Sequence, residues 1–419
     1  MRRTPLLPTL AAAALIAGAV PACSSSGASA GDTVTLGMIA PLNGTFAQAG
    51  KDMVNGANVA VAQINAAGGV DGKKLQLDIK DDGSDPQKTS QAARDLASAG
   101  HLLTFGALSS TECLAVKSLV KATGGVYLAP TCVDPTITGG PGQKGTDNVF
   151  RTGLRSSPEQ PVDQKLPAII AGLAPQAKVW DYFGYDYSFG HQQQSTFDSK
   201  ITRVAGVTAG STVFAPLNSQ DFRPYVSKLA SAVASDPAGR ALFLGTYGAG
   251  TSSFLQQAAG FSFLDKYKMI YTTGDPWDVL TPLKGNFPKL WTSYDYLWPA
   301  YDNATNRAFV KDFQKANGRM PGAWSAESFN AVQAYAAAIA KAKSAEPSAV
   351  SKALAGLTFP STQGDLTIDP VSHQANTNQV LGNVVGDPAS PDGVKFLDVI
   401  VVHPQDASTA KGSTTLSTN

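Results

Sequence analysis

Ser109, Ser110 and Glu112 are the residues of this 419-residue chain whose types and spacing most suggest binding chemistry. They open a helical stretch directly after a β-favouring run. Free backbone N–H groups at such a start, together with the helix dipole, suit a carboxylate or another anion. A plain capping box, with Ser109 as N-cap and Glu112 reaching back, accounts for the same residues. Asp81 and Asp82, with Asp85 after them, suggest metal at first sight, but paired acids in such a turn are ordinarily a solvated loop. Neither metal nor cofactor is expected. Catalytic sets lack their parts: the four histidines, His101, His191, His373 and His403, form no H-E-x-x-H, and there is no G-x-S-x-G, Walker or G-x-G-x-x-G segment. The sequence therefore does not read as an enzyme. Trp277, Trp298 and Trp324 could line a pocket or fill a core.

The elements that must position these residues alternate between strand and helix. The opening unit, residues 34–69, reads as strand, glycine-containing loop and helix. Val34, Leu36 and Ile39 precede Pro41 and the Asn43-Gly44 break. Met53, Ala57, Ala60, Val61 and Ile64 then recur at helical spacing, opposite Lys51, Asn55, Asn58 and Asn65, until Gly68-Gly69 ends the helix. Strands are expected at 75–79, 101–108 and 125–129, with helices at 86–99 and from 109 to about 122. A second series has strands at 178–184, 212–215, 241–245 and 269–272, each followed by a helix or a turn. A helix at 326–342 comes later, and strands at 364–368 and 395–402 are expected to finish the second half. This alternation predicts α/β architecture with parallel sheets covered on both faces. Ligands of such sheets bind at the carboxyl ends of the strands.

Composition narrows the function classes. Lys and Arg number 33 against 32 Asp and Glu, a net charge of +1, so charge supplies no reason to expect nucleic acid or an anionic membrane surface as partner. The amino terminus reads as a signal peptide over 1–22: Arg2-Arg3, an apolar stretch from Leu6 to Val20, then small residues. Val20-Pro21-Ala22-Cys23 resembles a bacterial lipobox, which makes Cys23 the lipidated first residue and 23–33 a flexible tether. An ordinary signal cut near Ala30 is the alternative. With Cys23 so used, Cys113 and Cys132 remain as an even pair. Both follow the ends of consecutive strands, so a disulfide is expected outside the cell, with two buried thiols as the alternative. The Ser/Thr-rich tail, 405–419, is expected to be disordered.

The ordered segments also resemble the leucine/isoleucine/valine-type (type I) periplasmic binding proteins, the solute receptors of ABC importers. The matching residues are Ile39, Pro41, Leu42 and Gly44, then Ile64 to Gly69, Asp71-Gly72-Lys73-Lys74-Leu75, and Asp81 to Pro86. Asn148 to Thr152 resembles the family's first crossing between lobes. The resemblance implies two Rossmann-like lobes with a central cleft and three crossings: lobe 1 from 34–152 and 296–358, lobe 2 from 153–295 and 359–404. It implies ligand contacts from Ser109, Ser110 and the loop Thr131-Cys132-Val133, where Val133 stands in place of an expected hydroxyl. It implies further contacts from Tyr187 and Tyr247 in the second lobe, an ammonium partner in Asp275, and first-loop contacts from Phe46 and Gln48. The implied function is capture of a small polar solute, such as a branched-chain amino acid, an amide or a related organic compound, and its delivery to ABC permease subunits. The protein would be a monomer, lipid-anchored to the membrane on its outer side. A sensor of the same fold that signals to a membrane partner is the alternative, and a secreted hydrolase a more distant one.

Overall fold

The computed structural model describes residues 33–403 apart from 45, 140–141, 155–160, 218, 236–238, 274–275 and 391, together with 415–416. Strands Thr33–Ala40 (β1), Lys74–Asp81 (β2), Leu103–Gly106 (β3), Val126–Ala129 (β4) and Val149–Arg151 (β5) form one parallel sheet in the order β2-β1-β3-β4-β5. Helices Ala47–Ala66 (α1), Pro86–Ser98 (α2) and Ser110–Thr123 (α3) connect these strands. Each helix starts or stops where its sequence says it should. Asp85 caps α2 by accepting from the N–H groups of Gln87 (2.8 Å) and Lys88 (3.0 Å), with Pro86 in the first turn. α3 begins with the Ser109/Glu112 capping box and ends at Gly124 in the left-handed conformation, φ 70°.

The second lobe repeats the plan. Helix Pro161–Leu173 (α4) leads to Val179–Tyr185 (β6), Ser188–Ile201 (α5), Thr208–Ala215 (β7), Arg223–Ser235 (α6), Arg240–Leu244 (β8), Ala249–Ala259 (α7), Met269–Thr273 (β9), the short Pro276–Leu280 (α8) and Leu290–Tyr294 (β10). The chain then returns to the first lobe through Ala304–Asn317 (α9), Ala323–Ala342 (α10) and Pro347–Leu354 (α11), followed by Thr358–Ser361 (β11) and Gly364–Thr367 (β12). Gln379–Gly386 (β13), Val394–Val402 (β14) and Thr415–Leu416 (β15) complete the second sheet, in the order β15-β14-β13-β10-β9-β8-β6-β7. The strands from β7 to β10 run parallel, and β13 joins β10 antiparallel. Type I periplasmic-binding-protein architecture, with two Rossmann-like lobes and a cleft between them, is thus the fold.

Two expectations are corrected. The strand at 364–368 does not finish the second sheet. β12 pairs antiparallel with β11 in a separate hairpin, and Phe359, Leu366 and Ile368 bury themselves in the same core as Leu36 and Phe105 of the first sheet. The hairpin therefore packs with the first lobe, and the chain recrosses only just before β13. A strand of four residues has too little alternation to specify a distant partner. The tail, in turn, is not structureless throughout, since Thr415 and Leu416 pair with Val401 and Ile400. The rest of 405–419, like Cys23 and most of the tether, lies outside the described residues.

Topology fixes where a ligand can sit. In the first sheet β1 lies between β2 and β3, so the connections leave it in opposite directions. In the second sheet β6 lies between β7 and β8 in the same way. The crevice at the carboxyl ends of such strands is a switch point, the usual binding place of an open α/β sheet. The loop after β1 carries Phe46 and the loop after β3 carries Ser109. The loops after β6 and β8 carry Tyr187 and Tyr247.

Candidate functional site

These four loops meet at one cavity of about 390 Å³ between the lobes. The first-lobe wall is set by a tight exit from β3. Gly106 has φ +107°, and a Cβ there would lie 2.1 Å from the carbonyl oxygen of Ile39, so only glycine fits. Ala107 follows at φ 57°, unusual for a residue with a side chain. The Thr131 hydroxyl holds this turn by donating to the carbonyl oxygens of Ala107 (2.7 Å) and Leu108 (3.2 Å). The turn aims α3 at the cavity. The Glu112 carboxylate accepts from the N–H groups of Ser109 (2.8 Å) and Leu108 (3.2 Å). Burial raises the Glu112 pKa; these bonds oppose the shift and the nearby Asp82 charge adds to it. Ser110 Oγ accepts from the N–H of Asp134 at 3.2 Å, which ties the loop after β4 to the same wall.

The second-lobe wall is aromatic. Tyr187 ends the loop after β6 and its hydroxyl lies beside that of Tyr247. Burial raises the pKa of both phenols, so each stays protonated and able to hydrogen-bond. Phe46, from the first lobe, stacks on Tyr247 with ring centroids 5.5 Å apart and planes 18° from parallel. That contact closes the cleft on one side. Phe189, Gln193 and Phe197 project from one face of α5 at helical spacing. The floor lies near the crossings, where the Tyr271 and Ser293 hydroxyls bond at 2.8 Å and Gln379 Nε2 donates to Ser293 Oγ at 2.9 Å.

A carboxyl pair sits where the lobes join. Asp295 follows β10, and its carboxyl faces Glu327 of α10 and Gln363. Both acids are buried. Gln363 Oε1 in turn accepts from the N–H of Asn378 (3.0 Å) in the last crossing. In the first crossing, a Cβ at Gly153 would lie 1.6 Å from the Pro130 carbonyl oxygen and 3.3 Å from Glu327 Oε1. All three crossings thus touch one network. Burial pushes the Asp295 carboxyl up to about 7.

Of the residues singled out in the sequence, Ser109, Ser110, Thr131, Val133, Tyr187, Tyr247, Phe46 and Trp324 all line the cavity. Gln48 does not: it is exposed, and its Nε2 donates to Asp52 Oδ1 on its own helix at 3.0 Å. Cys132 is not in the lining either. It is disulfide-bonded to Cys113, Cα atoms 6.4 Å apart, behind the wall. Asp275 and Cys23 lie outside the described residues. The oxygens of Asp81 and Asp82 serve backbone turns: Asp81 accepts from the N–H groups of Leu42 (2.8 Å) in the loop after β1 and of Gly83 (2.9 Å), and Asp82 from that of Ser84 (3.0 Å). Phe189, Phe197, Phe243, Tyr271, Ser293 and Gln379 line the cavity and were not singled out. The helical spacing of Phe189, Gln193 and Phe197 was the available signal, but it reads equally as a core-facing stripe.

Two doubly wound lobes with one cavity at their facing switch points define a two-lobed solute-binding protein. The comparisons with known proteins agree. The chain belongs to the periplasmic binding protein family, whose model matches residues 33–388. It is 26% identical over 343 residues to the leucine-, isoleucine-, valine-, threonine- and alanine-binding protein of Pseudomonas aeruginosa, covering 81% of this chain and 87% of that one. It is 27% identical over 356 residues to a Leu/Ile/Val-binding protein homologue of Brucella melitensis, covering 84% and 90%. Among solved structures, an amino acid ABC transporter substrate-binding protein of Pseudomonas fluorescens superposes with a TM-score of 0.76 at 22% identity, covering 91% of this chain and 99% of that one. A solute-binding protein of Rhodopseudomonas palustris in complex with 3,4-dihydroxybenzoic acid gives 0.72 at 22%, covering 87% and 95%. Members of the family bind small molecules outside the cytoplasm and work with ABC permeases.

Proposed function

We propose that this protein is the extracytoplasmic solute receptor of an ABC importer. It captures a small organic solute by closing its lobes and presents the closed form to the permease. The observation that carries this reading is the cavity itself, lined by Ser109, Ser110 and Thr131 from one lobe and by Tyr187 and Tyr247 from the other. A solute there touches both walls only when the cleft is shut, so binding shifts the population toward the closed state. The named relatives put branched-chain amino acids and hydroxylated benzoic acids first in the range to search, and amides and related small organic compounds extend it. The protein acts as a monomer, held at the membrane by a lipid on Cys23.

A thermal-shift screen of such solutes tests the reading. A solute at about a hundred times its dissociation constant stabilises by roughly 2.7 kcal/mol, which should raise the melting temperature by several degrees. Tyr187→Ala and Tyr247→Ala should each remove most of that rise. An unchanged response in both variants places the binding site elsewhere.

A further inference from the structure

We propose that a clasp outside the cavity, made by the loop between α9 and α10 of the first lobe on Trp277 of the second, closes the lobes part of the time with no solute present and so sets how firmly any solute is held. This closure adds to the one that a solute drives in the reading above.

The loop, residues 318–322, is fixed at its root. Both α9 and α10 pack against α1. A Cβ at Gly56 of α1 would lie 1.9 Å from the Ser325 carbonyl oxygen, so the start of α10 is pressed onto that helix. Arg319 lies over the Phe313 ring of α9, 5.2 Å from its centroid, and pairs with the buried Asp52 of α1. Its Nη1 donates to the Met320 carbonyl oxygen at 2.9 Å. Thus held, the loop carries Met320 and Pro321 onto the second lobe.

Across the junction, Met320 packs against the second-lobe core. The Pro321 carbonyl oxygen accepts from the Trp277 indole N–H at 2.5 Å, a buried bond. Trp277 belongs to α8, and its ring stands edge-on to Phe396 of β14 with centroids 6.1 Å apart. Asp392, between β13 and β14, also feels Arg319: burial raises its pKa and the Arg319 charge opposes the rise. One arginine therefore acts on an acid of each lobe. None of Trp277, Arg319, Met320, Pro321 and Asp392 lines the cavity, so these contacts form on closure whatever the cavity holds. When the lobes part, water takes over the indole N–H and the carbonyl oxygen. Removing the donor leaves that oxygen buried and unpaired in the closed state alone, which shifts the ratio of closed to open by about tenfold.

Double electron–electron resonance on the solute-free mature protein, spin-labelled through Gln87→Cys and Ser195→Cys, reads that ratio. Both sites are exposed, on α2 and α5 of opposite lobes. The wild type is expected to show a short and a long distance. Trp277→Phe keeps an aromatic ring and loses the donor, and should move the ratio about tenfold toward the long distance. Met320→Ser withdraws the apolar side chain from the second lobe and should move it the same way. A wild type with the long distance alone overturns the proposal. So do variants with wild-type distances, even if they melt earlier, since that is what a merely structural role would give. Should Trp277→Phe not fold, Met320→Ser decides by itself. No solute enters the measurement, so a failed clasp leaves the solute-binding reading standing, and a failed solute screen leaves the clasp standing.

Discussion

Raising the pH through neutrality should weaken the junction between the lobes. Asp295 and Glu327 are both buried and face each other. Burial pushes the Asp295 carboxyl from its ordinary 3.8 up to about 7, with Glu327 and Gln363 opposing part of the rise. The folded protein therefore holds a proton that the unfolded chain has already released. The stability this contributes is fully present below the unfolded value near 4 and is lost as pH rises through about 7. One proton changes stability by about 1.4 kcal/mol per pH unit, so the whole span is worth about 4 kcal/mol. That is a large part of the roughly 5–15 kcal/mol that holds a typical protein folded. Burial also raises Asp52, Asp82 and Glu112, so the pair must be isolated by difference. The double substitution Asp295→Asn, Glu327→Gln keeps the shapes and removes the titration. Urea unfolding under non-reducing conditions, from about pH 5 to about pH 8, measures both proteins. The wild type should lose stability faster with pH, by up to about 1.4 kcal/mol per unit. Equal slopes, or a wild type that gains stability across this range, refute the reasoning.

Three further outcomes follow from the same structure. Intact mass of the non-reduced protein after alkylation should show Cys113 and Cys132 protected, and reduction should cost roughly 3 kcal/mol for a loop closed over a separation of 19 residues; two alkylatable thiols contradict the bridge. Gly106→Ala would put a Cβ 2.1 Å from the Ile39 carbonyl oxygen at φ +107°, so it should lower stability by more than about 2 kcal/mol and disturb the Ser109 wall; a variant with wild-type stability and binding argues against that reading of the turn. Cys23→Ala should move the protein from the membrane fraction to the medium, and a wild type that is unlipidated by mass spectrometry removes the anchor from the account.

The fold was legible because its signals are local and repeated. Asp85-Pro86, Ser109 with Glu112, and Gly124 each mark a helix end by backbone chemistry that needs no distant partner. The alternation of such units implies parallel sheets, and the order of strands then places Phe46, Ser109, Tyr187 and Tyr247 at one crevice. Pairing over long separations was not legible. Nothing in the four residues of β12 says that they turn back on β11 instead of joining the second sheet. The floor of the cavity was hidden for a similar reason. Tyr271, Ser293 and Gln379 come from β9, β10 and β13, whose adjacency exists only after folding. Gln48 shows the opposite error, since its place in the loop sequence is right but its side chain turns along α1 to Asp52. Glu112 was visible as a cap, and only the geometry shows that capping places its charge in the wall of the cleft.

Solution X-ray scattering of the mature protein, with and without a saturating solute found by the screen, tests the central claim most directly. The account predicts a smaller radius of gyration on binding and a bound-state curve that fits the closed arrangement with Phe46 stacked on Tyr247. A bound protein as extended as the free one, or a bound curve that fits only separated lobes, would contradict capture by closure.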